Sequence, residues 1–122
     1  MSLKVEIKKA IGDHGLWKKM LKDAVDRGTI DDAITTLKDD KQCSFGKWLT
    51  GPSITVKEKD SDHYHTVREL HATFHEQASK VAQLAGAGHK TGALRMLETN
   101  GEFTKASAAL TTAMLTWLKE AQ

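Results

Sequence analysis

Apolar positions recur at steps of three and four over most of the chain, and no stretch keeps the strict alternation of a strand, so the pattern predicts helices. From Val5 to Arg27 the recurring set is Ile7, Ala10, His14, Trp17, Leu21 and Ala24, one face of an amphipathic helix, with Gly28 as its stop. Residues 29–40 carry Ile30, Ala33, Ile34 and Leu37 and read as a candidate short helix. Cys43 to Thr50 carries Phe45, Trp48 and Leu49 at helical spacing. Gly51-Pro52 closes it, because the proline ring fixes φ and restricts the residue before it. Residues 53–60 give no signal and are expected to form a loop. Ser61 to Ala85 places Tyr64, Val67, His71, Phe74, Ala78, Val81 and Ala85 on a heptad-like seam, and Gly86-Ala87-Gly88 is a turn. The final segment, Lys90 to Lys119, repeats at Leu94, Leu97, Gly101, Thr104, Ala108, Thr111, Leu115 and Leu118. Its register survives Asn100-Gly101, so one long helix with a weak spot is expected.

Three long amphipathic helices with short pieces between them specify an all-α bundle, in which short connections make antiparallel neighbours. The turn at residues 86–88 makes the last two long helices a hairpin. The first must cross to its partner through residues 28–60, which leaves the short cysteine-bearing helix to form a fourth wall. A chain of 122 residues fits a single domain, residues 1–122. Its net charge of +2, with lysines interleaved among acidic residues, argues against nucleic acid and anionic membranes. The lone Cys43 excludes an internal disulfide and suits a reducing compartment. With neither a signal-peptide pattern nor an apolar run approaching the roughly 20 residues that span a bilayer, a cytoplasmic chain is expected. Met1-Ser2-Leu3 has the look of a vector remnant, so the chain is a candidate piece of a longer protein.

Against this background, histidine is the odd residue on the core faces. His71 and His75 stand one turn apart on one helical face and can close on one metal ion without distorting the backbone. His14 is the third imidazole on an apolar face. Burying one without a partner costs about 1–3 kcal/mol, and a shared metal removes that cost for all three. Cys43, just before a short helix, adds a thiolate donor. Three nitrogens and a sulfur form a tetrahedral set that favours zinc over magnesium, calcium or manganese. His63 and His65 diverge by about 200° on a helix, and His89 sits at a turn, so these three are expected to be solvated. Each ligand also has a plainer reading. A single His14 is more often a hydrogen-bonded core histidine, a single cysteine a small buried hydrophobe, and an isolated His-x-x-x-His pair is common. Phe45 and Trp48 are expected to pack the short helix onto the bundle, and Gly46, Gly12 and Gly15 to allow close helix approach. Asp39 or Asp40 is a candidate acceptor for a ligand histidine's second ring N–H.

The sequence His14-Gly15-Leu16-Trp17, the box Cys43-Ser44-Phe45-Gly46-Lys47-Trp48 and the late His71-Ala72-Thr73-Phe74-His75 together resemble the chemoreceptor zinc-binding domain. That resemblance implies an antiparallel four-helix bundle with a short extra helix, and zinc held by His14, Cys43, His71 and His75. It also implies a symmetric homodimer and a bacterial, cytoplasmic regulatory role beside a chemoreceptor or diguanylate cyclase module. In some members oxidants such as hypochlorous acid are sensed at the zinc-bound cysteine. This chain itself carries no cyclase sequence and no long chemoreceptor heptads.

Four protein ligands leave no position for substrate, so a sensor rather than an enzyme is expected. The alternative is a zinc-stapled bundle serving as an interaction or dimerisation module. A di-iron bundle ranks last, because Glu69 is at the wrong spacing to His71, and Glu6, Glu98 and Glu102 have no histidine three residues on.

Overall fold

The computed structural model describes residues 3–27 and 44–120. Every regular element among them is helical: α1 (Leu3–Gly15), α2 (Trp17–Arg27), α3 (Ser44–Thr50), α4 (Val56–Lys59), α5 (Asp62–Gly86), α6 (Lys90–Leu97) and α7 (Glu102–Glu120). The candidate helix over 29–40, the stop at Gly28, Cys43, and the carboxylates of Asp39 and Asp40 lie outside the described residues.

The first amphipathic face folds as expected, with Ile7, Ala10, His14, Leu21 and Ala24 buried and Trp17 half-buried. It is nevertheless two helices rather than one. The Leu16 N–H bonds back to Asp13 O at 3.3 Å, an i to i−3 step, and the exposed Leu16 separates α1 from α2 immediately after His14. A Cβ added at Gly12 or Gly15 would meet nothing within 4 Å, so neither glycine serves a close helix approach.

Helix α5 follows the predicted seam, with all seven of its positions buried and His75 buried beside them. The Ser61 hydroxyl accepts the Tyr64 N–H at 3.2 Å and satisfies one of the orphan donors of the first turn. The preceding segment is not all loop. Thr55 caps the single-turn helix α4 by accepting the Glu58 N–H at 3.2 Å.

The last segment departs from the single long helix. Residues 98–101 leave the helix, and the Gly101 N–H closes a tight turn on Glu98 O at 2.8 Å. A Cβ at Gly101 would collide with the backbone carbonyl of Met96, so glycine lets the chain pass there. This interruption also resets the buried face. Phe103, Ala106, Leu110, Met114 and Trp117 point inward on α7, whereas the expected Ala108 and Leu115 are exposed.

Helix directions follow from residue pairs. His14 meets His71 and Trp17 meets His75, so α1–α2 runs parallel to α5. Phe45 meets His71, and the Tyr64 hydroxyl donates to Leu49 O at 2.7 Å, so α3 runs antiparallel to α5. The tight turn at 87–89 returns α6–α7 antiparallel to α5, and α7 packs along both α5 and α1. The directions alternate as in an antiparallel helical bundle, with α3 in the fourth wall. Among the described residues no helix is long and apolar enough to cross a membrane.

Candidate metal centre

Helix α1 delivers His14 from its last turn, and α5 delivers His71 and His75 one turn apart from its middle. The three are 4%, 0% and 1% exposed, so all lie inside the bundle. Their Nε2 atoms converge: His71 Nε2 lies 3.2 Å from His14 Nε2 and 3.0 Å from His75 Nε2. One nitrogen from each ring falls in a group whose members are all within 4.8 Å of one another.

Protons alone do not account for this arrangement. His14 Nδ1 lies 2.8 Å from the carbonyl of Ala10, an acceptor, so the ring carries its proton on Nδ1 and turns the Nε2 lone pair inward. A ring nitrogen holds one proton or one lone pair, so His71 Nε2 cannot make full hydrogen bonds to two facing nitrogens at once. A cation accepts all three lone pairs. Nitrogens held 2.0–2.1 Å from zinc at tetrahedral angles are about 3.3–3.4 Å apart, close to the two separations found here. The donors therefore fit zinc, and the Ala10 carbonyl makes with His14 the kind of outer contact that orients a metal-binding histidine.

Electrostatics favour, for His14 and His71, the neutral form that a metal needs. Burial pushes the His71 pKa down to about 2, with His75 and His14 adding to the effect. Burial also lowers that of His14, against the opposing influence of the Ala10 carbonyl; His75 lowers it further and Asp13 raises it.

Aromatic rings wall the group. Trp17 stacks on His14 at 6.0 Å and meets His75 edge-on at 4.9 Å. Phe74 packs edge-on against His14 at 5.0 Å, and Phe45 stands 5.7 Å from His14 and 5.1 Å from His71. Trp48 stacks on Phe45 and reaches Trp117, which fastens α3 to α7 as expected. Such a shell limits access of water and lowers the local dielectric.

Of the four ligands expected from sequence, the structure brings together His14, His71 and His75. His65 and His89 are exposed as anticipated, while His63 is half-buried. The Ala10 carbonyl escaped the sequence reading, which looked for a carboxylate in that role. The available signal was the i−4 spacing, since Ala10 stands one turn before His14 on the same helical face.

Comparison with curated proteins and with solved structures found no match. The family model described as the chemoreceptor zinc-binding domain matches residues 14–82, a span that begins at His14, includes Cys43, His71 and His75, and covers more than half of the chain. With zinc-compatible donors on that span, the chain belongs to the chemoreceptor zinc-binding domain family.

Proposed function

We propose that the chain is a sensory domain, not an enzyme, in which His14, Cys43, His71 and His75 hold one zinc ion and changes in that site regulate a signalling output. The convergence of three buried Nε2 atoms carries the reading. Support for the fourth ligand is chain proximity: Cys43 stands two residues before Phe45, whose ring touches His14 and His71.

Zinc binding requires Cys43 as thiolate and neutral imidazoles, so occupancy falls on acidification and on oxidation of the sulfur. Release of the cysteine arm frees α3 while three histidines retain the metal, which supplies a two-state element for a neighbouring module to sense. Family membership supports an adjacent chemoreceptor or cyclase-type domain in the same polypeptide, a homodimer and a cytoplasmic setting in a bacterium.

Native mass spectrometry of the protein purified without added metal tests the site, with the parent compared against Cys43→Ser. One zinc per chain in the parent and faster loss to chelator in the variant is expected. Equal retention removes Cys43 from the ligand set, and no zinc even after supplementation removes the site. A structural staple is the second reading, favoured by the fact that the histidines join α1 to α5 across 57 residues of chain.

A further inference from the structure

Between α1 and Phe45 lies a cleft of about 10 Å³ lined by Glu6, Lys9, Ala10, Asp13 and Phe45. That is room for about one water-sized species. Glu6 is 8% exposed, and its Oε1 is fully buried with no hydrogen-bond partner among the described residues. Leaving a carboxylate oxygen buried and unpartnered is costly, and a carboxylate's natural compensation is a cation. Lys9 and Asp13 are exposed at the rim. Phe45 borders both the cleft and the histidines: it lines the first, and its ring packs against His14 and His71. Ala10 lines it too, and its carbonyl orients His14.

We propose that Glu6 and Asp13 form a loading portal, a transient oxygen-donor site at which a divalent cation sheds its water on the way to the histidines, with the Phe45 ring as the gate between them. The proposal rests on the zinc reading above. Carboxylate oxygens replace water that the cation gives up at the mouth of the cleft, and the imidazoles inside take the same ion once it is dehydrated. Two carboxylates against one ammonium leave the cleft net negative, which raises the local concentration of cations. Glu6 and Asp13 both lie outside the 14–82 span that matches the family model.

A portal residue is distinguished from a ligand by kinetics. It lowers the barrier for passage in both directions, so its loss slows loading and release alike and leaves the equilibrium affinity in place. Loss of a ligand raises the release rate and weakens affinity. The experiment uses the metal-free chain mixed with zinc in a stopped-flow instrument. Tryptophan emission reports loading, since Trp17 lies 4.9 Å from His75. Release is followed by transfer to a chromogenic chelator.

For Glu6→Gln, which keeps the shape, and for Asp13→Asn, about tenfold slower loading and release are expected, with Kd within about twofold of the parent and a weaker dependence of loading on salt. Phe45→Leu, which shortens the gate, is expected to speed both directions. Unchanged rates in both carboxylate variants overturn the portal and leave the zinc site standing. A weakened Kd with faster release in Glu6→Gln also overturns it, by making Glu6 part of the site. Absence of zinc uptake by the parent overturns the portal and the zinc reading together.

Discussion

His14 and His71 are 57 positions apart in the chain, and their Nε2 atoms are 3.2 Å apart in the fold. His71 is the shared vertex, since its Nε2 also faces that of His75 at 3.0 Å. Removing it takes away a donor and opens the centre of the group. His71→Ala is expected to weaken zinc by more than the roughly 10–100-fold typical of losing an outer-shell partner. His65→Ala, on the exposed side of α5, is expected to change nothing. Competition against a chelator of known affinity measures both, and equal affinities would remove His71 from the site.

The same burial makes the metal-free chain sensitive to acid. His14 and His71 are held neutral in the fold, with pKa values lowered from 6.5, that of His71 to about 2. Unfolded, they take up protons as pH falls through 6.5, so between 6.5 and about 2 the unfolded state binds more protons and stability rises with pH. The contribution is full above pH 6.5 and is lost as pH falls towards 2. Each histidine that stays uncharged contributes a slope of up to about 1.4 kcal/mol per pH unit below 6.5. Urea unfolding of the chelated protein at pH 7.5, 6.5 and 5.5 gives the slope, and a flat profile would contradict the buried neutral rings.

Much of this was legible because the helical period and the chemistry coincide on α1, α2 and α5. Ile7, Ala10 and His14 on α1, Leu21 on α2, and the seam positions between Tyr64 and Ala85 on α5 are buried as their spacing dictates. The resemblance carried by the cysteine box also named the three histidines that converge. The last segment was illegible for a specific reason. Hydrophobic residues there occur on several faces, and a period running through Gly101 picked Leu115 and Leu118 as readily as Met114 and Trp117. The four residues outside the helix at 98–101 shift the phase, and periodicity alone contains no information about such a shift. The break at Leu16 falls in the same category, being a local hydrogen-bond choice between i−3 and i−4.

The reset face has a direct consequence. Met114 is 0% exposed and Leu115 is 51% exposed. Met114→Ala is expected to cost about 2–5 kcal/mol by cavity formation, and Leu115→Ala to remain within about 0.5 kcal/mol of the parent. Denaturant midpoints of the two variants decide between the faces, and the opposite order would restore the uninterrupted helix.

At the break itself, Gly101 is where side chains are excluded. Any Cβ there meets the Met96 carbonyl, so Gly101→Ala forces the turn to open and disturbs Phe103 just beyond it. A loss of about 1–3 kcal/mol is expected, opposite in sign to the gain that glycine-to-alanine changes give inside a regular helix. A stabilised variant, measured by thermal unfolding, would show that residues 98–101 accept a helix.

Zinc removal separates a sensor from a staple. A metal held by His14, His71 and His75 would join α1 to α5, but the core around Phe74, Phe103, Leu110 and Trp117 is apolar and does not depend on it. Binding to the folded state alone stabilises by about 4.1 kcal/mol when free zinc is a thousandfold above Kd. At roughly 2–8 °C per kcal/mol for domains of this size range, saturation is expected to raise Tm by about ten degrees or more. Chelation should therefore lower Tm while leaving the helical circular dichroism signal at 25 °C nearly intact. Faster hydrogen exchange is expected to concentrate in α3 and the last turn of α1, where Phe45 and His14 lose their shared neighbour. Collapse of the helical signal on chelation would instead make zinc a condition of folding, and the staple reading would replace the sensor.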